Sequence, residues 1–218
     1  MRRRGEACLS GDDGVDRVAL VATILLAAAT VATAWSGYQA SRWGGEATKA
    51  TMKGNAARIE STRASSLANA QAQVDVAVFT QWVDAYARDE TRLRDFYFER
   101  FRAEFKPAVV AWIATKPIEN ANAPLTPFAM PQYKSAARDE AARLEAQADT
   151  WAAISRRNIQ RSTNYVLGVV LFAAALFFAG MSTKLPARGL RIALLTIGAV
   201  VFLGTLAWIA SSPVSISV

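Results

Sequence analysis

The sequence predicts an all-α integral membrane protein with three transmembrane helices and a membrane-proximal helical hairpin or bundle. Hydrophobic residues make up 52% of the 218 residues and are concentrated in a few stretches. Acidic and basic residues are absent from Val18 to Ser41, from Ser162 to Thr183 and from Ile192 to Val218. A helix crosses a bilayer with about 20 mostly apolar residues. The segment between the first two stretches is rich in Ala, Glu, Gln, Arg and Leu, which favour helices.

These stretches define the domain organisation. We expect transmembrane helices at residues 18–38, 163–182 and 190–210. The other segments are an N-terminal tail (1–17), a helical domain (39–161) with a Pro-rich loop (116–131), a short basic loop (183–189) and a C-terminal tail (211–218). A cleaved signal peptide is the alternative for the first span, because Ala32-Thr33-Ala34 resembles a cleavage site. The acidic residues in the tail favour an uncleaved anchor.

Positive charges near the ends of the spans predict the orientation. The N-terminal tail and the short loop are basic, with Arg2, Arg3, Arg4, Arg17, Lys184, Arg188 and Arg191. Basic residues in short loops stay in the cytoplasm, so we expect the N-terminus inside and the helical domain extracytoplasmic. The bias is not uniform, since Arg156, Arg157 and Arg161 precede the second span on the other side.

Aromatic residues mark the ends of the spans that adjoin the helical domain. They are Trp35, Tyr38, Trp43, Tyr165 and Trp208, and such side chains favour the membrane interface. On a helix, one face would carry Trp35, Tyr38, Gln39, Arg42 and Trp43. Arg42 between the tryptophans could bind a lipid phosphate or form a cation–π contact. The alternative is a plain interfacial anchor, after which Gly44-Gly45 lets the chain change direction.

The helical domain is predicted to consist of two main helical runs. No proline occurs from residue 46 to 106, and Pro107 is the first one. We therefore expect an outgoing run over 46–106, a short helix at 107–115 and a return run over 132–161. A straight helix over 46–106 would reach about 90 Å. We expect it to fold back near 65–75, where Ser65, Ser66 and Asn69 weaken the helix.

An apolar stripe on the outgoing run predicts a packing face. It consists of Phe79, Trp82, Val83, Tyr86, Leu93, Tyr97 and Phe101. A weaker stripe on the return run includes Leu144 and Trp151. We expect the two stripes to pack together, although a parallel oligomer would cover the first equally well. Phe96, Phe98 and Phe105 lie beside the stripe and either pack on 107–131 or form an exposed partner-binding patch.

The composition argues against most enzyme classes, although a metal site made of carboxylates alone remains possible. The chain has no histidine and a single cysteine, Cys8, which excludes histidine metal sites, Ser-His-Asp triads and an internal disulfide. No phosphate-binding glycine loop is present. We expect no enzyme activity, no cofactor and no metal. The net charge of +7 comes from interspersed charges, which does not indicate nucleic-acid binding.

Two glutamates are candidates for functional carboxylates. Glu90 in ARDETRL and Glu140 in ARDEAARL each precede a leucine by about one turn, which puts them at the apolar stripes. Two facing carboxylates could share a proton or hold a cation. The structural alternative is ion pairing at i+4, of Glu90 with Arg94 and of Asp139 with Arg143.

The element ATAWSGYQASRW, followed by a long Ala-rich helix and two closing spans, resembles a group of uncharacterised small bacterial membrane proteins. They carry a similar W-x-x-Y-Q-A element after the first span. The resemblance implies a bacterial inner-membrane protein and transfers no catalytic residue.

The function we expect is therefore non-enzymatic. The helical domain would act as a scaffold or accessory subunit through a protein partner or a second copy, with the lipid bilayer as its other partner. One alternative is an oligomeric channel or transport subunit lined by Thr23, Thr30 and Thr33. Another is a sensor-like helical module that binds a ligand and has no output domain of its own.

Overall fold

The computed structural model describes residues 17–215. Of these, 81% are helical, and no strand occurs among them. The helices are α1 (Arg17–Ala87), α2 (Thr91–Phe98), α3 (Lys106–Ala114), α4 (Ala136–Ser182) and α5 (Arg188–Ala210), with a 3-10 helix at Pro127–Ala129. Three of them, α1, α4 and α5, are long and apolar enough to cross a membrane. Of the predicted basic tail, Arg17 is the first residue of α1, whereas Arg2, Arg3, Arg4 and Cys8 lie outside the described residues.

The described residues divide into two compact units. The first unit contains the residues up to Lys49 and from Ile154 onward, and the second unit is Ala50–Ala153. The second unit lies within the helical domain predicted at 39–161. It includes the Pro-rich loop, which forms turns and the 3-10 helix.

Helix α1 is continuous where the sequence predicted interruptions. The fold-back expected near 65–75 is wrong, because α1 runs through this stretch without a break. Ser66, one of the weak helix formers there, bonds to its own helix, where its Oγ donates to the Thr62 carbonyl at 2.9 Å. The change of direction expected at Gly44-Gly45 is also wrong, since both glycines are helical and neither has a positive φ.

Helix α1 ends at Ala87, well before the predicted Pro107. Asp89 has a φ of 59°, and aspartate is one of the few residues with a side chain that adopt the left-handed conformation at modest cost. The Glu90 amide donates to the Ala85 carbonyl at 3.0 Å and closes the turn. The outgoing run is therefore split into α1 and α2, whereas the short helix expected at 107–115 is present as α3.

Small residues form much of the core of the first unit. Its members are Ala22, Leu25, Ala29, Phe172, Ala175, Ala179, Leu195 and Phe202. Gly198 lies so close to α4 that an added Cβ would stand 3.3 Å from the Ala175 carbonyl oxygen. Nearer the other end of the helices, Ser162 Oγ donates to the Ala40 carbonyl at 2.8 Å. Close backbone approach is typical of helices that pack within a membrane.

The core of the second unit is mostly aromatic. It consists of Phe79, Trp82, Phe101, Phe105, Ala108, Val109 and Trp112. Phe105 is fully buried and stacks on Phe128, with ring centroids 4.9 Å apart. Phe98 packs against the same core, whereas Phe96 remains about half exposed.

The packing partners of the two predicted stripes are different from those expected. The α1 stripe at Phe79 and Trp82 packs against the segment from Tyr97 to Tyr133, because the chain turns back after Ala87. Helix α4 packs on an earlier part of α1, where Ser61 Oγ donates to the Ala141 carbonyl at 2.9 Å.

The individual stripe residues are buried to different extents. Val83, Tyr86 and Tyr97 are partly buried against the aromatic core, and Leu93 on α2 is exposed. Leu144 and Trp151 on α4 are half-buried, and Lys53 Nζ lies 4.6 Å from the Trp151 ring centroid.

Candidate interaction sites

Three residues predicted as interface anchors hold the end of the described chain in the first unit. Gln39 is fully buried and is bonded on both sides to Ser215: its Oε1 accepts from the Ser215 amide at 3.0 Å, and its Nε2 donates to the Ser215 carbonyl at 3.5 Å. Trp43 Nε1 and the Tyr165 hydroxyl both donate to the Pro213 carbonyl, at 3.1 and 3.2 Å. We call Gln39, Trp43 and Tyr165 the tail clamp.

The tail clamp corrects the prediction that one face of α1 contacts lipid. Gln39 is turned inward and has no exposed surface, because the segment after α5 returns to cover it. Trp35 and Tyr38 are about half exposed, with ring centroids 6.0 Å apart. Within the predicted cluster, Trp35 and Tyr38 are therefore exposed, Arg42 and Trp43 are half-buried and Gln39 is buried.

The cation beside Trp43 also differs from the prediction. The guanidinium of Arg161, from α4, lies 4.5 Å from the Trp43 ring centroid. Arg42, the predicted cation, is half-buried on α1. Trp208 is 37% exposed near the end of α5. The signal missed in the sequence was the short polar segment SSPVS after α5, whose carbonyl and amide groups need partners.

A buried ion pair holds α1 to the segment before α3 in the second unit. Arg102 donates to Asp75 through two bonds, Nε to Oδ1 at 3.0 Å and Nη2 to Oδ2 at 2.8 Å. A third bond joins Arg102 Nη1 to Glu104 Oε2 at 2.9 Å. The hydrogen bond to Asp75 raises the pKa of the Arg102 guanidinium. Burial, with a smaller effect from Asp75, raises the pKa of the Tyr133 hydroxyl.

The two candidate carboxylates do not form the predicted site. Glu90 follows the end of α1 and is exposed, so it lies outside the apolar stripe. Glu140 is exposed on α4 and pairs with Arg143, which donates to it at 2.6 and 2.7 Å. This hydrogen bond lowers the pKa of Glu140.

The expected i+4 ion pairs are replaced by shorter spacings. Arg143 pairs with Glu140 rather than Asp139, and Arg94 pairs with its neighbour Asp95 at 3.1 Å. Within residues 17–215, no three acidic or cysteine side chains lie together as metal ligands.

An apolar row on the exposed side of α1 was not predicted. In the second unit its large members are Met52 (66% exposed), Ile59 (56%), Leu67 (54%) and Val74 (55%). Ala56 and Ala70 are exposed and complete the row, and Arg63 lies at its centre. The residues are three or four positions apart, so they share one helix face, on the side of α1 opposite the buried Ala57 and Ala68. We call this row the outer seam.

The first unit has an exposed row of small residues at the same spacing. Gly37, Ser41 and Gly45 are four residues apart on α1, and all three are exposed. An added Cβ at Gly37 or Gly45 would meet nothing within 4 Å, so packing within this chain does not require glycine there. The 11-residue repeat of the outer seam and the four-residue spacing of the small residues are both visible in the sequence, but the stronger aromatic stripe drew the prediction to another face.

Comparison with models of protein families gave no match. Neither the curated proteins nor the solved structures that were compared match the chain.

Proposed function

We propose that this chain is a non-enzymatic integral membrane protein that associates with a second copy through α1 and presents the second unit as an interaction scaffold. Helices α1, α4 and α5 are the three spans. The observation that carries the proposal is the outer seam, whose four large apolar side chains are each more than half exposed. A contiguous apolar surface that stays exposed on a folded chain commonly marks a site of contact with another protein or with a membrane.

The membrane determines how two copies would meet. Copies inserted in the same orientation have parallel α1 helices, so each residue of the seam faces its own counterpart. Met52, Arg63 and Val74 follow one another at intervals of 11 residues, a period that suits nearly straight or slightly right-handed helix pairs. Arg63 does not bring an isolated charge into the contact, because Glu60 accepts from it within the same chain.

The available area supports a specific pair. At 1.5 Å per residue, the outer seam covers about 35 Å of helix, and the stretch from Gly37 to Thr48 covers about 18 Å. Taken separately, contacts about 10 Å wide would bury roughly 350 Å² per copy at the outer seam and roughly 180 Å² at the small-residue row. Summed over two copies, the two areas reach the total near 1,000 Å² that is the lower size for a stable interface. Gly37, Ser41 and Gly45 provide the small-residue spacing that lets two membrane helices approach closely.

Disulfide trapping tests the seam. In a Cys8→Ser background, Ala70→Cys places a thiol on the outer seam, and the matched control Asn69→Cys places one on the same helix about 100° away. Both positions are exposed in the monomer. Mild oxidation in native membranes should cross-link Ala70→Cys efficiently and Asn69→Cys little. Equal cross-linking at both positions would contradict the seam.

Glycine substitution gives a second test. Gly45→Leu should weaken the dimer without disturbing the monomer fold, because a Cβ there has open space. Gly204→Leu is the control, since Gly204 on α5 also has open space but lies on another helix. Light scattering of the purified chain in detergent should show dissociation for Gly45→Leu alone. Dissociation by both variants, or by neither, would sink the role of the small-residue row.

The same experiment distinguishes the channel alternative. A ring of several copies would favour an oligomeric pore, whereas a monomer would exclude one, since three spans alone do not enclose a channel. Thr23, Thr30 and Thr33 each donate a hydrogen bond to the backbone carbonyl four residues earlier. Their hydroxyl donors are therefore engaged within the helix.

The membrane and the orientation are part of the proposal. The resemblance around Trp35 to Trp43 supports a bacterial inner membrane, and the basic loop at Lys184 to Arg191 supports an extracytoplasmic second unit. With Cys8→Ser and Asn120→Cys, an impermeant maleimide should label intact cells. Labelling only after permeabilisation would place the second unit in the cytoplasm and make it a platform for cytosolic partners.

A further inference from the structure

The two flanks of the outer seam differ in charge. With Arg63 as the centre of the seam and about 100° per residue, Glu60 lies about 60° and Lys53 about 80° to the same side. The opposite flank of the seam carries no charged side chain. Its exposed polar members are Asn55, Thr62, Ser66 and Gln73. The seam therefore has one charged flank and one neutral flank.

On the neutral flank, Asn55 has hydrogen-bonding groups that its own chain does not use. The Thr62 and Ser66 hydroxyls donate to backbone carbonyls of α1, both at 2.9 Å. Asn55 is exposed, and its side-chain amide makes no hydrogen bond within residues 17–215. An amide group has two donors and an acceptor. Asn55 can therefore bond to a second chain without giving up a contact within its own.

On the charged flank, the Glu60 carboxylate is already held in place. Arg63 Nη1 donates to Glu60 Oε1 at 2.6 Å, and 54% of the Glu60 side chain remains exposed. A carboxylate accepts more than one hydrogen bond, so Glu60 Oε2 can accept from a further donor. Because Arg63 restrains the carboxylate beforehand, a second bond costs less conformational entropy.

Parallel pairing of two α1 helices brings the opposite flanks together. A two-fold axis along the helices sets the charged flank of each copy against the neutral flank of the other. In parallel helix pairs, a flanking residue faces the residue about five positions further along on the partner. The residue five positions after Asn55 is Glu60. The symmetry produces this contact twice, once on each side of the pair.

We propose that the Asn55 amide of each copy donates to the Glu60 carboxylate of the other, and that these two bonds make the outer seam select an identical copy in parallel register. The inference rests on the self-association proposed above. A helix that offers only an apolar row would leave the Asn55 amide without its acceptor. A shift of one helical turn, about 5.4 Å, would separate the two groups.

Sedimentation equilibrium of the full chain in density-matched detergent tests the pair through its dissociation constant. Asn55→Asp should raise this constant about fourfold, because two symmetry-related contacts become repulsive and each weakens pairing by roughly twofold. Asn55→Asp combined with Glu60→Gln should restore the original value, since an amide and a carboxylate again face each other with their roles exchanged. The control Gln73→Asp adds the same charge on the same flank, and the residue five positions further on is the uncharged Val78. It should leave the dissociation constant unchanged.

The possible failures of the two proposals are distinguishable. A chain that stays monomeric at every concentration would overturn both the self-association and the bond between Asn55 and Glu60. A dimer whose dissociation constant rises equally in Asn55→Asp and Gln73→Asp, or in neither, would overturn only the bond. Failure of Glu60→Gln to restore pairing in the Asn55→Asp chain would likewise show that the two residues do not face each other.

Discussion

The core of each compact unit is built from a different kind of side chain. In the first unit, alanines and glycines let α1, α4 and α5 approach closely, and serine hydroxyls bond to backbone carbonyls across the contacts. In the second unit, large rings pack edge to face and face to face around Phe105. Within lipid, burying a large apolar side chain brings little gain in free energy, so the stability of helix contacts there depends on close packing. In water, the stability of a core depends mainly on the apolar area that folding buries. Each unit therefore has the core that suits the solvent we propose for it.

The largest expected effect is the loss of the buried ion pair in the second unit. Arg102→Ala should lower the free energy of opening of this unit by about 3–5 kcal/mol, because Asp75 would remain as a buried carboxylate without its partner. Hydrogen exchange measured by mass spectrometry reads this energy for α1 and α3 peptides. Arg88→Ala is the control, since Arg88 and Asp84 form an exposed pair worth at most about 1 kcal/mol. An effect no larger than that of the control would show that the pair does not hold the unit together.

The comparison is sharpened by making one substitution in both cores. Phe105 and Phe172 are almost completely buried, the first in the second unit and the second between spans. Phe105→Ala should cost about 1.5–3 kcal/mol more than Phe172→Ala, because only the former loses the transfer of a ring out of water. Hydrogen exchange of both units in one nanodisc sample measures the difference. Equal costs would mean that the first unit does not sit in lipid.

Enlarging a glycine tests the close packing of the first unit. Gly198→Leu should destabilise α5 by about 1–3 kcal/mol, since an added Cβ already stands 3.3 Å from the backbone of α4 and from the Phe178 Cβ. Gly204→Leu should leave the hydrogen-exchange rates of α5 unchanged when they are measured in a detergent in which the chain is monomeric. Equal hydrogen-exchange rates of α5 in the two variants would show that the close approach at Gly198 does not contribute to the stability of α5.

The smallest expected effect concerns the tail clamp. Gln39→Leu removes both bonds to Ser215 and should release the C-terminal residues at a cost of about 1 kcal/mol, or roughly fivefold faster digestion by carboxypeptidase. Gln147→Leu, at an exposed position on α4, is the matched control. Unchanged digestion of Gln39→Leu would show that Trp43 and Tyr165 hold the tail without it.

The sequence predicted the three apolar helices well because twenty-residue stretches without charge leave few alternatives. The predicted ends at 182 and 210 coincide with the ends of α4 at Ser182 and of α5 at Ala210, whereas the predicted bounds at 38 and 163 lie inside the continuous helices α1 and α4. The short helix before the Pro-rich loop was also found, because prolines enclose it.

The turn after Ala87 was missed for a specific reason. The predicted end of the helix depended on proline and glycine, the usual helix breakers, whereas this turn has Asp89 in a left-handed conformation. Aspartate is common on helix surfaces, so its presence alone carries no such signal. Without this turn, the prediction placed Leu93, Tyr97 and Phe101 on the same helix as the α1 stripe. It therefore paired that stripe with the wrong segment.

The tail clamp could not be predicted because it joins residues far apart in the chain. Tyr165 is of a type that favours membrane interfaces, and Gln39 lies on one helix face with Trp35 and Trp43, so their sequence neighbourhoods favoured that interpretation. Only the return of the segment after α5 shows that Gln39 is bonded to protein. The outer seam was detectable, since its spacing is regular, but exposure has to be known before such a row can be distinguished from an ordinary helix face.

The separation of Gln39 and Ser215 by 176 residues has a consequence for biosynthesis. At roughly 5–20 residues per second, the ribosome needs about 9–35 seconds to make the chain between them. The part of α1 that contains Gln39 is therefore made well before Ser215, and during that time the Gln39 amide lacks its Ser215 partner. During that interval water, lipid headgroups or the insertion machinery must satisfy this amide. The bonds between Gln39 and Ser215 are therefore among the later contacts of the first unit to form.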